Sequence, residues 1–453
     1  MLRRLPFVTL LLTLAALSLP IRAHPVLVIS IDGMRPDYVL QADAHGLKIP
    51  HLRRILREGA HASGVRGVLP TVTYPSHTTI VTGVWPSRHG IYSNLTFDPL
   101  GINLEGWYWY SEDIAVPTLW QAAAKAGLIT GSVSWPVTVG AQSIRYNVPE
   151  FWRAAKSPDD LKLLRAVSTP GLVAQIARDE GPYVLDLDEA IPGDQARTRY
   201  AAWILRHGKP QFMTVHLAAL DHLQHATDPF SPESNRSLEQ IDAMLGQLED
   251  AARAAYPDYA ICVVSDHGFS RIDRSLNLMR AFADAGLITL GPGAGFHGAP
   301  VVRDWKAFPK VDGGSAAVLL KDPHDEATRA KTAQLLARLA ADPANGIARI
   351  LDRQAIAAMG GNPQAAFWVD MQPNFSAVNS LGALLAAHPG GTHGYAPTHP
   401  EMLASFFLAG PDVPHGLSLG EIDMRRIAPT LAAYLAFPFP SADLPPLPFA
   451  ARP

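Results

Sequence analysis

Three short apolar runs, each ending at or leading into an aspartate, constrain this chain more than any other feature. They are Val26-Leu-Val-Ile-Ser-Ile31 before Asp32, Phe212-Met-Thr-Val-His-Leu217 shortly before Asp221, and Tyr259-Ala-Ile-Cys-Val-Val-Ser265 before Asp266. Continuous apolar runs rich in β-branched residues suit strands buried on both faces of a sheet, because a half-solvated strand alternates apolar and polar residues. Polar chemistry collects at the carboxyl ends of such strands in open α/β sheets. Helical spacing fills the intervals. Leu238, Ile241, Leu245 and Leu248 share a face after a Pro232-Glu-Ser start. Leu335, Leu336 and Leu339 mark a second helix ending near Asp342-Pro343, and Ile427, Leu431 and Leu435 a third. The alternation predicts an α/β fold with a mostly parallel central sheet flanked by helices. Ala404-Ser-Phe-Phe-Leu-Ala409 reads as a late strand of that sheet.

The 453 residues can bury one large α/β domain or two smaller ones. Residues 1–23 read as an export signal: Arg3 and Arg4 are followed by an apolar run from Leu5 to Pro20, with Ala23 at a plausible cleavage point. That run is short for a membrane span. The expected product is a periplasmic or secreted protein with no stable membrane insertion once the signal is removed. One catalytic domain is expected over residues 24–440. A cap subdomain is expected as an insertion over about 286–390, with strands at Ala316–Leu320 and Ala366–Asp370 around a helix. The Pro-rich tail, 441–453, is expected to lie extended on the surface, and 140–192 shows only weak periodicity. The formal charge of −3 gives no broad basic face for a nucleic-acid polymer, whereas small phosphates need only a local site. The single cysteine, Cys262, lies in the third apolar run and reads as a core residue, not a nucleophile.

The chemistry is carried by scattered Asp and His residues. Asp32 ends the first strand, Asp221 and His225 form D-x-x-x-H, Asp266 and His267 stand in Ser265-Asp-His-Gly268, and His393 stands in Gly391-Thr-His-Gly394. Aspartate and neutral histidine are ordinary zinc ligands. These residues could form two three-ligand sites, each with a position open to substrate. Each alone has a plainer reading, such as a turn cap for Asp32 or a solvated helix face for D-x-x-x-H. His297, His89, His216, His222, His388 and His399 are also present, but none is paired with a strand-end carboxylate at ligand spacing. His216 is expected to point into the sheet region, and His222 is the main rival to His225.

A second feature is Leu69-Pro-Thr-Val-Thr-Tyr-Pro-Ser-His-Thr-Thr-Ile-Val-Thr-Gly83, a proline-bounded turn leading into a helix expected to start near Ser76. A hydroxyl at a helix start sits in a positive field that favours phosphate and an ionising nucleophile. Metal contact would lower its pKa further. Thr71, Thr73, Ser76 and Thr78 all qualify by chemistry, and Ser76 also reads as a plain N-cap.

These segments, with Val28-Ile-Ser-Ile-Asp-Gly-Met-Arg-Pro-Asp37, Thr82-Gly-Val-Trp-Pro-Ser-Arg-His-Gly-Ile91 and Thr392-His-Gly-Tyr395, resemble the nucleotide pyrophosphatase/phosphodiesterase family of the alkaline phosphatase superfamily. The resemblance implies an alkaline phosphatase-like fold and a small phosphodiester or nucleotide substrate. It selects Thr73 as the nucleophile and implies two Zn2+. Asp32, Asp266 and His267 would hold one, with Thr73 touching it, and Asp221, His225 and His393 the other. It gives Asn94 to a phosphate oxygen and Tyr74 to the leaving-group or base pocket. The implied reaction has two displacements, attack by Thr73 and then hydrolysis of phospho-threonine. The chain departs from the family around Asp221, where Ala218-Ala-Leu-Asp-His-Leu-Gln-His225 replaces the usual Glu-Pro-Asp-x-x-Gly-His. Trp107-Tyr-Trp-Tyr110 reads either as a pocket wall or as packing. A phosphomonoesterase or a phosphonoacetate-type phosphonate hydrolase would use the same site, and Asn94, where ordinary alkaline phosphatases have Arg, leans toward a diester. A transferase to a cell-envelope acceptor would be expected to carry a membrane segment, and a sulfatase is excluded because Thr73 cannot become formylglycine.

Overall fold

The computed structural model describes residues 23–103, 106–152, 158–184, 190–293 and 300–450. Nearly all of the expected signal, and His297, therefore lie outside the described residues.

The three apolar runs form adjacent parallel strands, Ala260–Val264, Val26–Ile31 and Phe212–Leu217, and every residue in them is buried. They centre a sheet of eight strands among the described residues. Its order is Leu417–Ser418, Ala60–His61, Phe406–Ala409, Ala260–Val264, Val26–Ile31, Phe212–Leu217, Thr130–Val133, Tyr146–Val148. Side chains alternate across it. Leu27, Ile29 and Ile31 enter one apolar layer with Val215, Leu238, Ile241 and Leu245. Val26 and Val28 enter the other with Cys262, Ile80, Ile427 and Leu431. The helices Ile191–Gly208 and Pro232–Ala255 supply residues to the first layer, and Thr73–Thr82 and Ile427–Tyr434 to the second. Cys262 is fully buried, and burial raises its thiol pKa.

Several local expectations change. The late strand starts at Phe406 and runs antiparallel to Ala260–Val264. The tail forms no helix or strand over 441–450 and packs through two side chains: Leu447 and Ala450 are buried, and Leu447 N donates to Thr430 Oγ1 at 2.9 Å. Apolar side chains on the last helix need cover, and Leu447 provides it. The weakly periodic stretch contains the helices Pro158–Val167 and Leu172–Glu180. Residues 307–371 form an antiparallel sheet ordered Ala307–Val311, Ser315–Leu320, Ala365–Met371, Ile347–Asp352, with the helix Glu326–Ala341 packed in a separate apolar cluster.

One polar contact ties two helices together. Asp194, in the first turn of Ile191–Gly208, is fully buried and accepts from Arg197 Nη1 at 2.8 Å. Its oxygens also accept from Ala218 N and Ala219 N, each at 3.0 Å. It thus caps the start of the helix Ala219–Ala226 from a different element. Asp194→Ala removes a buried ion pair and both cap acceptors, so a stability loss of roughly 3–5 kcal/mol is expected. Urea unfolding measures it, and a loss under about 1 kcal/mol would show that the contact is not structural.

Candidate active site

The carboxyl ends of the three central strands coincide. Ile31 pairs with Leu217, and Ser30 pairs with both His216 and Val264. Asp32 therefore emerges beside Asp266, and Gly33 N donates to Asp266 Oδ1 at 3.2 Å. Asp221 and His225 lie one turn apart on the helix Ala219–Ala226, so both side chains leave the same face. His393 arrives by a separate route. The strand Leu385–Thr392 pairs antiparallel with Ser270–Asn277, and Thr392 stands opposite Ser270. That register lays His393 over His267, with ring centroids 3.7 Å apart and planes 13° from parallel.

The residues expected to act together do meet. His267 Nε2 lies 3.1 Å from Asp266 Oδ2, 3.3 Å from Asp32 Oδ1 and 3.5 Å from Thr73 Oγ1. Asp221 Oδ2 lies 3.4 Å from His225 Nε2, and Asp221 Oδ1 lies 3.7 Å from His393 Nε2. Two groups have ligand atoms close enough to share an ion: Asp221, His225 and His393, and Asp32, Asp221 and His267. Asp221 thus faces both positions. Asp266 is not in the second group, although its Oδ2 lies 3.1 Å from His267 Nε2. His225, not His222, has the cation-facing geometry.

Hydrogen bonding shows that these residues suit metal ions. Nδ1 of His225, His267 and His393 faces the carbonyl oxygens of Gly391, Gly268 and Thr71 at 3.1, 3.0 and 3.1 Å. A carbonyl only accepts, so each Nδ1 carries hydrogen and each Nε2 is left for the centre. Asp32 Oδ1, Asp221 Oδ1 and Asp266 Oδ2 are buried without a hydrogen-bond partner and face the same centre. Buried carboxylate oxygens of this kind need a cation or a proton. In the bare site that role falls to protons. Burial lowers His267, but Asp266 and Asp32 outweigh it and raise it to about 10. His225 is likewise raised against burial by Asp221, while burial and His267 push His393 down to about 3. Burial, Asp266 and Asp221 raise Asp32.

Thr73 is the first residue of the helix Thr73–Thr82, three positions earlier than expected. Val72, in extended conformation, occupies the N-cap, so Ser76 is not the cap; its N–H already bonds Val72 O inside the first turn. The helix start therefore presents Thr73 itself. Tyr74 N donates to Asn94 Oδ1 at 2.9 Å, which consumes the amide oxygen and leaves the Asn94 NH2 as a donor. Thr73, Tyr74 and Asn94 line a cleft of about 130 Å3 together with Asp32, Asp221, His225 and His393. Trp107 and Trp152 form part of its wall, whereas Trp109 is buried behind them against Tyr74 and Phe151. Both readings of the Trp107–Tyr110 segment hold, for different residues.

Glu150, Arg197 and His216 also line this cleft and were not singled out from sequence as site residues. Glu150 and Arg197 lie in stretches without a motif. His216 does sit in the sheet region, as expected, but its Nε2 is 2.9 Å from Asp32 Oδ2 and its Nδ1 2.9 Å from Glu150 Oε2. Burial opposes protonation of His216, yet the bonds to Asp32 and Glu150 raise its pKa well above the ordinary value. Its place in an otherwise apolar strand was the available signal.

The chain belongs to the type I phosphodiesterase / nucleotide pyrophosphatase family, whose pattern matches residues 26–396. Human ectonucleotide pyrophosphatase/phosphodiesterase family member 1 is 24% identical over 259 residues, covering 54% of this chain and 24% of that protein. The bis(5'-adenosyl)-triphosphatase of Pongo abelii is 24% identical over 265 residues, covering 56% of this chain and 50% of that protein. The match thus spans half or less of these relatives' length. Among solved structures, murine ectonucleotide pyrophosphatase/phosphodiesterase 5, an inactive threonine-to-alanine variant in complex with AMP, superposes with a TM-score of 0.61 at 19% identity. That likeness covers 93% of this chain and 96% of the other, and it shows the shared fold.

Metal uptake should release protons, because Asp266 and Asp32 favour the charged form of His267 against burial and its Nε2 must be freed for a metal. Calorimetric titration of metal-free protein with zinc should give a heat that varies with the ionisation enthalpy of the buffer. A heat independent of buffer would contradict this picture.

Proposed function

We propose that this protein is a two-zinc phosphodiesterase/nucleotide pyrophosphatase that cleaves phosphodiester or phosphoanhydride bonds through a phospho-Thr73 intermediate. The observation that carries the reading is the placement of Thr73 Oγ1 at a helix start, 3.5 Å from His267 Nε2 and beside the Asp32 and Asp266 carboxylates. Asp32, Asp266 and His267 would hold one zinc, and Asp221, His225 and His393 the other. Zinc bound there would act as a Lewis acid, lowering the pKa of a hydroxyl or water and neutralising charge on the phosphoryl oxygens.

The chain's own residues do the rest. Thr73 Oγ1 loses its proton and attacks phosphorus, forming an O–P bond as the bond to the leaving oxygen breaks, and that oxygen departs with the electron pair and takes up a proton. The Asn94 NH2 donates to a phosphoryl oxygen from a position fixed by its bond to Tyr74 N. Tyr74, Trp107 and Trp152 border the cleft where the remainder of the substrate lies. Water then attacks phosphorus, its oxygen stays on the phosphate, and one of its protons goes to Thr73 Oγ1 as the Thr73 O–P bond breaks. Family membership supports this scheme, as does the relative whose inactive threonine-to-alanine variant holds AMP.

One observation favours a second reading, a phosphomonoesterase or phosphonate hydrolase. Arg197 borders the cleft, and a guanidinium suits a more highly charged phosphoryl group. It is committed to Asp194, which is why the diester reading stands first. We read residues 286–390 as a cap inserted in one domain spanning 24–440. Asp312 from that stretch accepts from Ser93 Oγ, next to Asn94, and Phe97 packs on Trp305 and Phe308. Export to the periplasm or medium agrees with the apolar start of the chain. Among the described residues no helix is long and apolar enough to cross a membrane.

Thr73→Ala should lower kcat on p-nitrophenyl thymidine phosphate by at least about 10^3, with zinc content unchanged by metal analysis. A near wild-type rate would sink the assignment. Asn94→Ala should lower kcat by about 10^2. Wild-type enzyme should hydrolyse the thymidine diester faster than p-nitrophenyl phosphate, and the reverse order would favour the second reading.

A further inference from the structure

Four buried side chains join the wall of the cleft to the metal-facing carboxylate. Tyr74 Oη donates to Glu150 Oε1 at 2.9 Å. Glu150 Oε2 lies 2.9 Å from His216 Nδ1, and His216 Nε2 lies 2.9 Å from Asp32 Oδ2. Both ring nitrogens face carboxylate oxygens, so the imidazole donates on both sides. It is also held in place: Nδ1 is 3.1 Å from Ser134 O, and His77 stands against it with centroids 4.5 Å apart. His77 in turn bridges Ser30 Oγ and Thr73 O, each at 2.9 Å. At the other end, Glu150 precedes Phe151 and Trp152, and Trp152 packs on Trp107 and Trp109.

The two oxygens of Asp32 have different surroundings. Oδ2 accepts from His216, whereas Oδ1 has no hydrogen-bond partner and faces His267 Nε2. A carboxylate free to rotate about χ2 would present either oxygen, and one fixed donor removes that freedom. We propose that His216 and Glu150 are positioning residues that fix the metal-facing oxygen of Asp32 and couple it to the aromatic wall through Tyr74. This rests on the two-zinc phosphodiesterase reading.

His216→Gln and His216→Asn separate the two ends. A glutamine amide reaches the place of Nε2 and keeps a donor for Asp32, whereas an asparagine amide reaches only the place of Nδ1. Zinc affinity of metal-free protein, measured by competition with a chelating dye, should fall at least tenfold in His216→Asn and recover most of that in His216→Gln. In kinetics, His216→Asn should lose mainly kcat, and His216→Gln should mainly raise KM, because its tie to Glu150 is cut. Tyr74→Phe and His216→Gln should combine non-additively in KM, since both release the same carboxylate. Equal zinc affinities for the two His216 variants, or KM effects that simply add, would overturn the proposal. If thermal unfolding shows that neither His216 variant folds, Glu150→Gln, which keeps the volume and an acceptor for Tyr74, carries the test. A KM raised at least threefold supports the coupling, and an unchanged KM and zinc affinity overturn it. Wild-type protein that binds no zinc and cleaves no diester would instead overturn the underlying reading, a distinct result.

Discussion

Three carboxylates, Asp32, Asp221 and Asp266, converge at the carboxyl end of the central sheet, where burial and their mutual repulsion are the constraint that the surrounding residues offset. Burying one such charge costs several kcal/mol even after relaxation. The protein offsets this by arranging three imidazoles against the same centre and by fixing each ring through a backbone carbonyl. A cation bound at this centre would neutralise the same charges. The sheet keeps the strand ends in register, and the helix cap at Asp194 keeps Asp221 and His225 pointed inward.

The fold was readable because burial on both faces writes itself into composition. Val26–Ile31, Phe212–Leu217 and Ala260–Val264 lack alternation and end in chemistry, which is the signature of a parallel sheet core. The direction of Phe406–Ala409 was not readable, since an apolar run is the same in either orientation. The start of the Thr73–Thr82 helix was displaced because Ser76 is a good cap by chemistry, but a chain in extended conformation through Val72 enters the helix earlier. In the tail, proline content signals extension but not which side chain anchors it, and Leu447 covers an apolar surface there.

At the site, residues with chemistry of their own were legible and residues that act through others were not. Asp32, Asp221, His225, Asp266, His267 and His393 stand out because charged or imidazole groups at strand ends and beside glycine invite explanation. Glu150 stands in a loop without periodicity, and Arg197 in the first turns of a helix whose polar residues look solvated. Their burial is a property of the folded chain alone. His216 has no carboxylate at ligand spacing in the sequence, and its partners, Asp32 and Glu150, are brought to it by sheet pairing and by a distant loop.

The late arrival of His393 has a consequence for how the protein matures. Thr73 meets His267 across 194 residues, and His393 meets Thr71 across 322. Closing contacts so distant in sequence costs chain entropy before they gain anything. The strand Leu385–Thr392 pairs with Ser270–Asn277, and Leu276 and Leu385 share one apolar cluster with the four-stranded sheet that lies between them in sequence. Two side chains of one candidate position, Asp221 and His225, stand on a single helix while the third, His393, comes from much later in the chain. Tight capture of a metal ion there would therefore report that both segments are in place.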